Sequence, residues 1–184
     1  MDLTGKLLLA TPGMLDPRFA KSVIFICAHS DEGAMGLVVN RMARDVTFPR
    51  LLSQLSIESR ADVPLPQVHL GGPVEQGRGF VLHSTEYDSS DATMDVSPDF
   101  GMTATVDVLT HIAQGAGPAS SLLALGYSGW SPGQLEEELA QNAWMVADAS
   151  ALLVFGTDSD QKWAAALAAM GIDPVSLSGA AGRA

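Results

Sequence analysis

The apolar positions of Ser22 to His29 run unbroken through Val-Ile-Phe-Ile-Cys-Ala, the pattern of a central strand covered on both faces. Gly5 to Thr11 carries a similar run and predicts a strand before it. The segment between them, Pro12-Gly-Met-Leu-Asp-Pro-Arg-Phe, is a loop set by two prolines and a glycine. His29-Ser-Asp-Glu-Gly is a hairpin connection, and Ala34 to Asn40 a third strand. Thr47 can cap a short helix over Phe48 to Ser56 that buries Leu51, Leu52 and Leu55. Arg60 to Gln67, with two prolines, reads as a linker within the domain.

Val68 to Leu70 predicts a short strand entering Gly71-Gly-Pro-Val, and Gly79 to Ser84 and Thr93 to Val96 predict two more. Thr103 to Gln114 fits a helix burying Val106, Leu109 and Ala113, ended by Gly115-Ala-Gly-Pro. A strand at Leu122 to Leu125 then runs into a glycine-bracketed turn, Gly126-Tyr-Ser-Gly-Trp. Ser131 and Gln134 form an S-x-x-Q capping box, with Pro132 at the first helical position. Glu136, Glu137 and Glu138 follow at the positive end of that helix dipole. Trp144 to Ala147 and Leu152 to Phe155 alternate like strands, with a turn between them. The last helix, Asp160 to Met170, places Trp163, Leu167 and Met170 on one face. Gly171 supplies its C′ residue and Pro174 stops it. The expected organisation is one domain over residues 1–174 and a flexible tail over 175–184. Three strands in succession without regular βαβ alternation predict an α+β fold on a mixed, strongly bent sheet.

Composition narrows the class. At 184 residues, 47% hydrophobic and 17% charged, the chain can bury about 70% of its unfolded surface in one core. No apolar run approaches the ~20 residues of a membrane helix, and Met1-Asp-Leu-Thr-Gly-Lys lacks the features of a secretory signal. Cys27 is the single cysteine. No intrachain disulfide can form, so a reducing cytoplasm is expected. The formal charge of −11 is uneven. Residues 1–60 hold seven of the ten Lys and Arg, and residues 61–184 hold fifteen of the twenty-one acids. Nucleic-acid affinity rests on cations that replace phosphate counterions, so the charge argues against such a partner outside a patch at Arg41, Arg44 and Arg50.

Four islands carry a resemblance when taken in order. They are Gly5-Lys-Leu-Leu-Leu-Ala with Met14-Leu-Asp-Pro-Arg-Phe; Gly33-Ala-Met-Gly-Leu-Val-Val-Asn-Arg; Gly71-Gly-Pro-Val with Arg78-Gly-Phe-Val-Leu-His; and Gly126 to Glu138 with Asn142 and Trp144. The set, spanning Leu3 to about Gly171, resembles the AlgH/YqgE family of small bacterial proteins. The resemblance implies an α+β fold whose sheet bends or bifurcates into a pseudo-barrel with helices packed on it. It implies no established activity, and the family's transcriptional-regulator label finds no helix-turn-helix here. The chain departs from the family where Met42 follows Asn40-Arg41 in place of proline.

The candidate chemistry is sparse. Ser128 sits in a sequence like a nucleophile elbow, but Trp130 stands where G-x-S-x-G requires glycine. His29, His69, His83 and His111 lack metal-ligand spacing, and His29 and His83 close apolar strands, where an imidazole commonly bonds a carbonyl. Gly71-Gly-Pro-Val-Glu-Gln-Gly-Arg-Gly is no phosphate loop, although Arg78 could pair its planar fork with an anion. Asn40-Arg41 is either a left-handed turn with a solvated arginine or a corner that binds an anion or partner. Trp130 and Trp144 anchor the capped helix to the sheet by buried area. The expected function is therefore regulatory or accessory, through binding and without catalysis, metal or cofactor, with another protein or a small anionic ligand as partner. The alternatives are an enzyme or sensor for a small anionic metabolite held by Arg41 and Arg78, and direct DNA binding. The candidate surface comprises Asn40, Arg41, Gly71, Gly72, Pro73, Arg78, His83, Ser128, Trp130 and Gln134. Its corners are expected to converge into one cleft holding both arginines.

Overall fold

A computed structural model describes residues 1–180. Among these residues nine strands form one curled sheet: β1 (Lys6–Ala10), β2 (Val23–Ser30), β3 (Gly33–Val38), β4 (Val68–Leu70), β5 (Val74–His83), β6 (Thr93–Ser97), β7 (Phe100–Thr103), β8 (Ser121–Trp130) and β9 (Trp144–Asp148). The order is β6-β7-β5-β8-β3-β2-β1-β9, antiparallel throughout, and β4 lies parallel to β8 off that path. Among the described residues five helices pack on this half-barrel: α1 (Phe48–Gln54), α2 (Val106–Ala113), α3 (Gln134–Ala140), α4 (Lys162–Ala169) and α5 (Pro174–Ala180). The fold is the expected α+β class with a strongly bent mixed sheet.

The continuous apolar runs exist because the central strands are covered on both faces. Leu7 and Leu9 of β1 join Val23, Phe25 and Cys27 of β2 in one core with Leu153, Val154, Ala166 and Leu167. The alternate residues Leu8, Ala10, Ile24 and Ile26 face a second core with Trp130, Leu135 and Trp144. Leu123 of β8 turns to a third core under α1 and α2, with Phe48, Leu52, Val108 and Ile112. Each such side chain contributes about 1.5–3 kcal/mol by leaving water.

Several expectations are corrected. The glycine-bracketed turn after Leu125 is strand, because β5 supplies a partner for Tyr127 and β3 supplies partners for Ser128, Gly129 and Trp130. Thr103 ends β7, a strand absent from the sequence reading, and α2 starts three residues later with Val106 54% exposed and Val108 buried instead. Leu152–Gly156 is a single π-helical turn rather than a strand. Leu55 and Met170 are exposed, and Lys162 and Ala166 join the expected Leu167 at the buried positions of α4. Pro174 opens α5 at a position where its missing N–H is harmless, so residues 174–180 are helical where a tail was expected. The rest of that tail, 181–184, lies outside the described residues.

Candidate functional site

The site is built by β8, which changes partners partway along. Leu123–Leu125 lie between β4 and β5, whereas Ser128–Trp130 pair with β3. β4 and β3 follow one another along the same edge, and Gly71-Gly72 is the junction. The Gly71 N–H donates to the Leu125 carbonyl at 2.8 Å, and its own carbonyl accepts from the Val38 N–H at 2.9 Å. Ser128 Oγ donates to that same carbonyl at 3.2 Å. The chains approach so closely that a Cβ on Gly71 would lie 2.3 Å from the Gly126 carbonyl oxygen. One on Gly72 would lie 2.2 Å from the Tyr127 carbonyl. Glycine is required there by contact.

The opposite edge of β8 carries an excursion. Val74 faces Tyr127 and Gly79 faces Leu125, so residues 75–78 of β5 are opposed by Gly126 alone. Gly126 has φ +73°, and Glu75 is held at φ +47°, an unusual conformation for a side chain with a Cβ. Residues 74–78 are all exposed.

Val74, Gly129 and Trp130 separate two adjoining cavities. The first, about 480 Å³, lies between α3, Pro73 and the loop carrying Met14, Arg18 and Phe19. Its polar floor centres on Glu138. One Glu138 oxygen accepts the indole N–H of Trp130 at 3.0 Å and that of Trp144 at 2.7 Å. The other accepts from Gln134 Nε2 at 3.0 Å, and Gln134 Oε1 accepts the Ser131 N–H at 3.0 Å. The glutamine arm of the expected capping box is thus present, although α3 begins only at Gln134, with Gly133 (φ +78°) as its N-cap. The two indoles meet edge-on at 6.2 Å, and Phe19 packs on Trp144 at 5.9 Å. At the rim the Arg18 guanidinium beside Asp16 holds that carboxyl below the usual range. The second cavity, about 670 Å³, is walled by Met35, Phe80, Met102, Tyr127 and Arg78.

A third cavity of about 700 Å³ lies elsewhere, lined by Asn40, Arg41, Arg44, Asp45, Asp158, Ser159 and Asp160. Asn40 does not adopt the left-handed turn. Lys21 does, at φ +54°, and the Asn40 side chain clamps it by donating to the Lys21 carbonyl and accepting the Val23 N–H. Arg41 is not simply solvated, because its Nη1 donates to the Arg18 carbonyl.

The sequence candidates therefore divide. Gly71 and Gly72 form the junction, Pro73, Trp130 and Gln134 line the first cavity, and Arg78 lines the second. Asn40 and Arg41 line the third, so the single cleft holding both arginines is not formed. His83 is fully buried. Its Nδ1–H donates to the Ser84 carbonyl at 2.8 Å, as expected of a strand-closing imidazole, which leaves Nε2 to accept from Thr103 Oγ1 at 2.8 Å. Ser128 is 1% exposed and braces the junction. His29 instead accepts the Leu3 N–H at Nδ1 and donates from Nε2 to Glu136 at 2.7 Å. Glu138 is the hub of the first cavity, a role that no motif announces. Its signal was the i,i+4 spacing from Gln134, which puts both on one side of the helix.

Ser159 at the floor of the third cavity meets His69 Nε2 at 2.8 Å, a serine–histidine pair the sequence spacing hid. Burial, with the Lys162 charge close by, pushes the His69 imidazole down to about 4. A general base must accept a proton near neutral pH, and this imidazole resists one. Lys162 itself is pushed down to about 8 by burial, and its ammonium donates to the Val39 carbonyl at 2.7 Å. Because its folded value lies below the unfolded 10.5, the unfolded chain binds more protons between about pH 8 and 10.5. Lys162 therefore adds stability as pH rises through that window. Cys27, held up to about 12, acts in the opposite sense above about pH 9. Denaturation midpoints of wild type and Lys162→Met measured from pH 7.5 to 10 isolate the lysine. The stability of wild type relative to Lys162→Met should rise towards alkaline pH, and a constant difference would contradict the assignment.

Among the described residues no group of three His, Cys, Asp or Glu could hold a metal ion, and no helix is long and apolar enough to cross a membrane.

Comparison with known proteins agrees with this architecture. The solution structure of the AlgH protein from Pseudomonas aeruginosa superposes with a TM-score of 0.78 at 37% identity, covering 100% of this chain and 97% of that one. A crystal structure from Corynebacterium diphtheriae, 24% identical, shares the fold with a TM-score of 0.71 over 89% of this chain and 84% of its own. A UPF0301 protein of Cereibacter sphaeroides is 56% identical over 184 residues, and one of Ruegeria pomeroyi is 55% identical over 185, each covering 100% of both chains. The AlgH-like family model, DUF179, matches residues 7–175, and the chain belongs to this AlgH-like family.

Proposed function

We propose that this protein is a non-catalytic accessory or regulatory factor that acts through binding, and that it binds in the trough formed by the first two cavities. The observation that carries the proposal is the fixed wall between them. The Gly71-Gly72 crossing leaves β8 no freedom to shift, and Glu138 ties Trp130, Trp144 and Gln134 into one network. Side chains already held in place lose little entropy when a ligand arrives, which is how a binding surface gains affinity. A reducing cytoplasm suits the buried thiol of Cys27.

Val74 sits 37% exposed between the two cavities, so a glutamate there fills the trough with charge while leaving the core intact. Native mass spectrometry of protein isolated gently from its own cells should show a bound species on the wild type. Val74→Glu should lose that species and keep the wild-type melting temperature. Retention of the same species by Val74→Glu would remove the trough as the binding surface.

A further inference from the structure

We infer that the second cavity takes an aromatic anion: a flat ring seated on the apolar floor, with its carboxylate or phosphate held by Arg78. The inference rests on the trough being the binding surface and names the ligand class for one half of it. The floor is Met35, Met102 and Tyr127, with Phe80 standing edge-on to Tyr127 at 5.8 Å. These are polarisable groups suited to the face of a ring. Above them the Arg78 guanidinium lies over the Phe80 ring, 5.0 Å from its centroid. An arginine packed this way keeps its fork of donors free for a planar anion.

Two further observations point to the backbone as what places Arg78 there. The four-residue excursion of β5 that ends at Arg78 leaves its own side chains exposed over residues 74–78, and a Cβ on Gly77 would touch nothing within 4 Å. The chain nevertheless accepts a left-handed Glu75 and requires a positive-φ glycine at Gly126 to form it. Strain held where it adds no core contact is characteristic of a functional position, and bulges of this kind serve to re-aim side chains. The present partner of Arg78 is replaceable. Glu75 lies 3.6 Å away, and both side chains are more than half exposed. An exposed pair at that distance contributes little, so an incoming anion can displace the Glu75 carboxylate.

Naphthoate is a suitable probe, with naphthamide as its neutral counterpart and acetate as an anion without a ring. Titrated into the isotope-labelled full chain and followed by NMR, naphthoate should shift Met35, Phe80, Met102 and Tyr127. Its affinity should fall about tenfold in Arg78→Ala and rise in Glu75→Gln, which removes the competing carboxylate. Arg78→Lys, which keeps the charge but loses the planar fork, should lie between wild type and Arg78→Ala. Naphthamide and acetate should each bind more weakly than naphthoate. Equal affinity for naphthoate and naphthamide, indifference to Arg78→Ala, or absence of shifts in this cavity would each overturn the inference. If one of these occurs while Val74→Glu still strips the species bound in cells, only the ligand class is wrong. Retention of that species by Val74→Glu would remove the trough itself.

Discussion

Gly72→Ala is expected to cost more than about 4 kcal/mol, the extreme end of single-substitution effects and much of the stability of a typical domain. The new Cβ would stand 2.2 Å from the Tyr127 carbonyl carbon and oxygen and 2.4 Å from the Ser128 nitrogen. These are backbone atoms held in the sheet, so no rotamer change can relieve the clash, and relief requires β4 to part from β8. Gly77→Ala is the control. Five residues further along, its Cβ would meet nothing within 4 Å, and its φ lies outside the left-handed region. Reducing the entropy of the unfolded chain should make that change neutral or mildly stabilising. Denaturant titration of the two proteins should place them on opposite sides of wild type or nearly so. Similar midpoints for the two would mean that the crossing is looser than the structure has it.

Glu138→Ala should cost about 3 kcal/mol, since hydrogen bonds to a charged group contribute about 1.5–3 kcal/mol each and this carboxylate accepts two from indoles. For a chain of this size that corresponds to a melting temperature lower by roughly 6–12 °C. The loss falls on Trp130 and Trp144, which are 7% and 4% exposed and would keep their donors turned towards a vacated position. Glu138→Gln retains an acceptor oxygen without the charge and should lose less. A double-mutant cycle with Trp144→Phe separates the hydrogen bond from the packing, because phenylalanine keeps most of the ring contact and lacks the N–H. Additive effects in that cycle would show that the 2.7 Å contact contributes nothing of its own.

The sequence made the central strands and the family legible for one physical reason. β1 and β2 are covered on both faces, so every position must be apolar and the pattern survives any bending of the sheet. The strand at Ser121–Trp130 was half legible. Its first part is apolar, but Gly126 and Gly129 look like a turn when the partners on either edge are unknown. Those partners come from β3 and β5, dozens of residues earlier. The same remoteness hid the pairing of His69 with Ser159, ninety residues apart. Nothing local to Lys162 foretells that its ammonium reaches the Val39 carbonyl through the core.

The candidate site shows a similar division. Glycines at 71 and 72, Pro73, Trp130 and Gln134 were singled out from local chemistry; the glycines sit at the β8 crossing, and the other three line the first cavity. Arg78, a rare cation in an acidic region, and Arg41, at the Asn40 corner, were expected to join them. Charge identifies which residues need a partner and carries no information on where the backbone takes them. Asn40 is spent on clamping Lys21, which carries Arg41 to the Arg18 carbonyl and the far cavity. The bulge at residues 75–78 carries Arg78 to the trough instead.

The most direct measurement on the central claim is an NMR comparison of isotope-labelled protein in buffer and in an extract of its own cells. Binding in the trough predicts shifted or broadened amides confined to residues 13–19, 34–35, 73–80, 102–104, 127–138 and 141–144, and a silent spectrum when Val74→Glu replaces the wild type. Perturbation centred instead on Arg41, Arg44 and residues 158–160, or a wild-type spectrum unchanged by the extract, would contradict it.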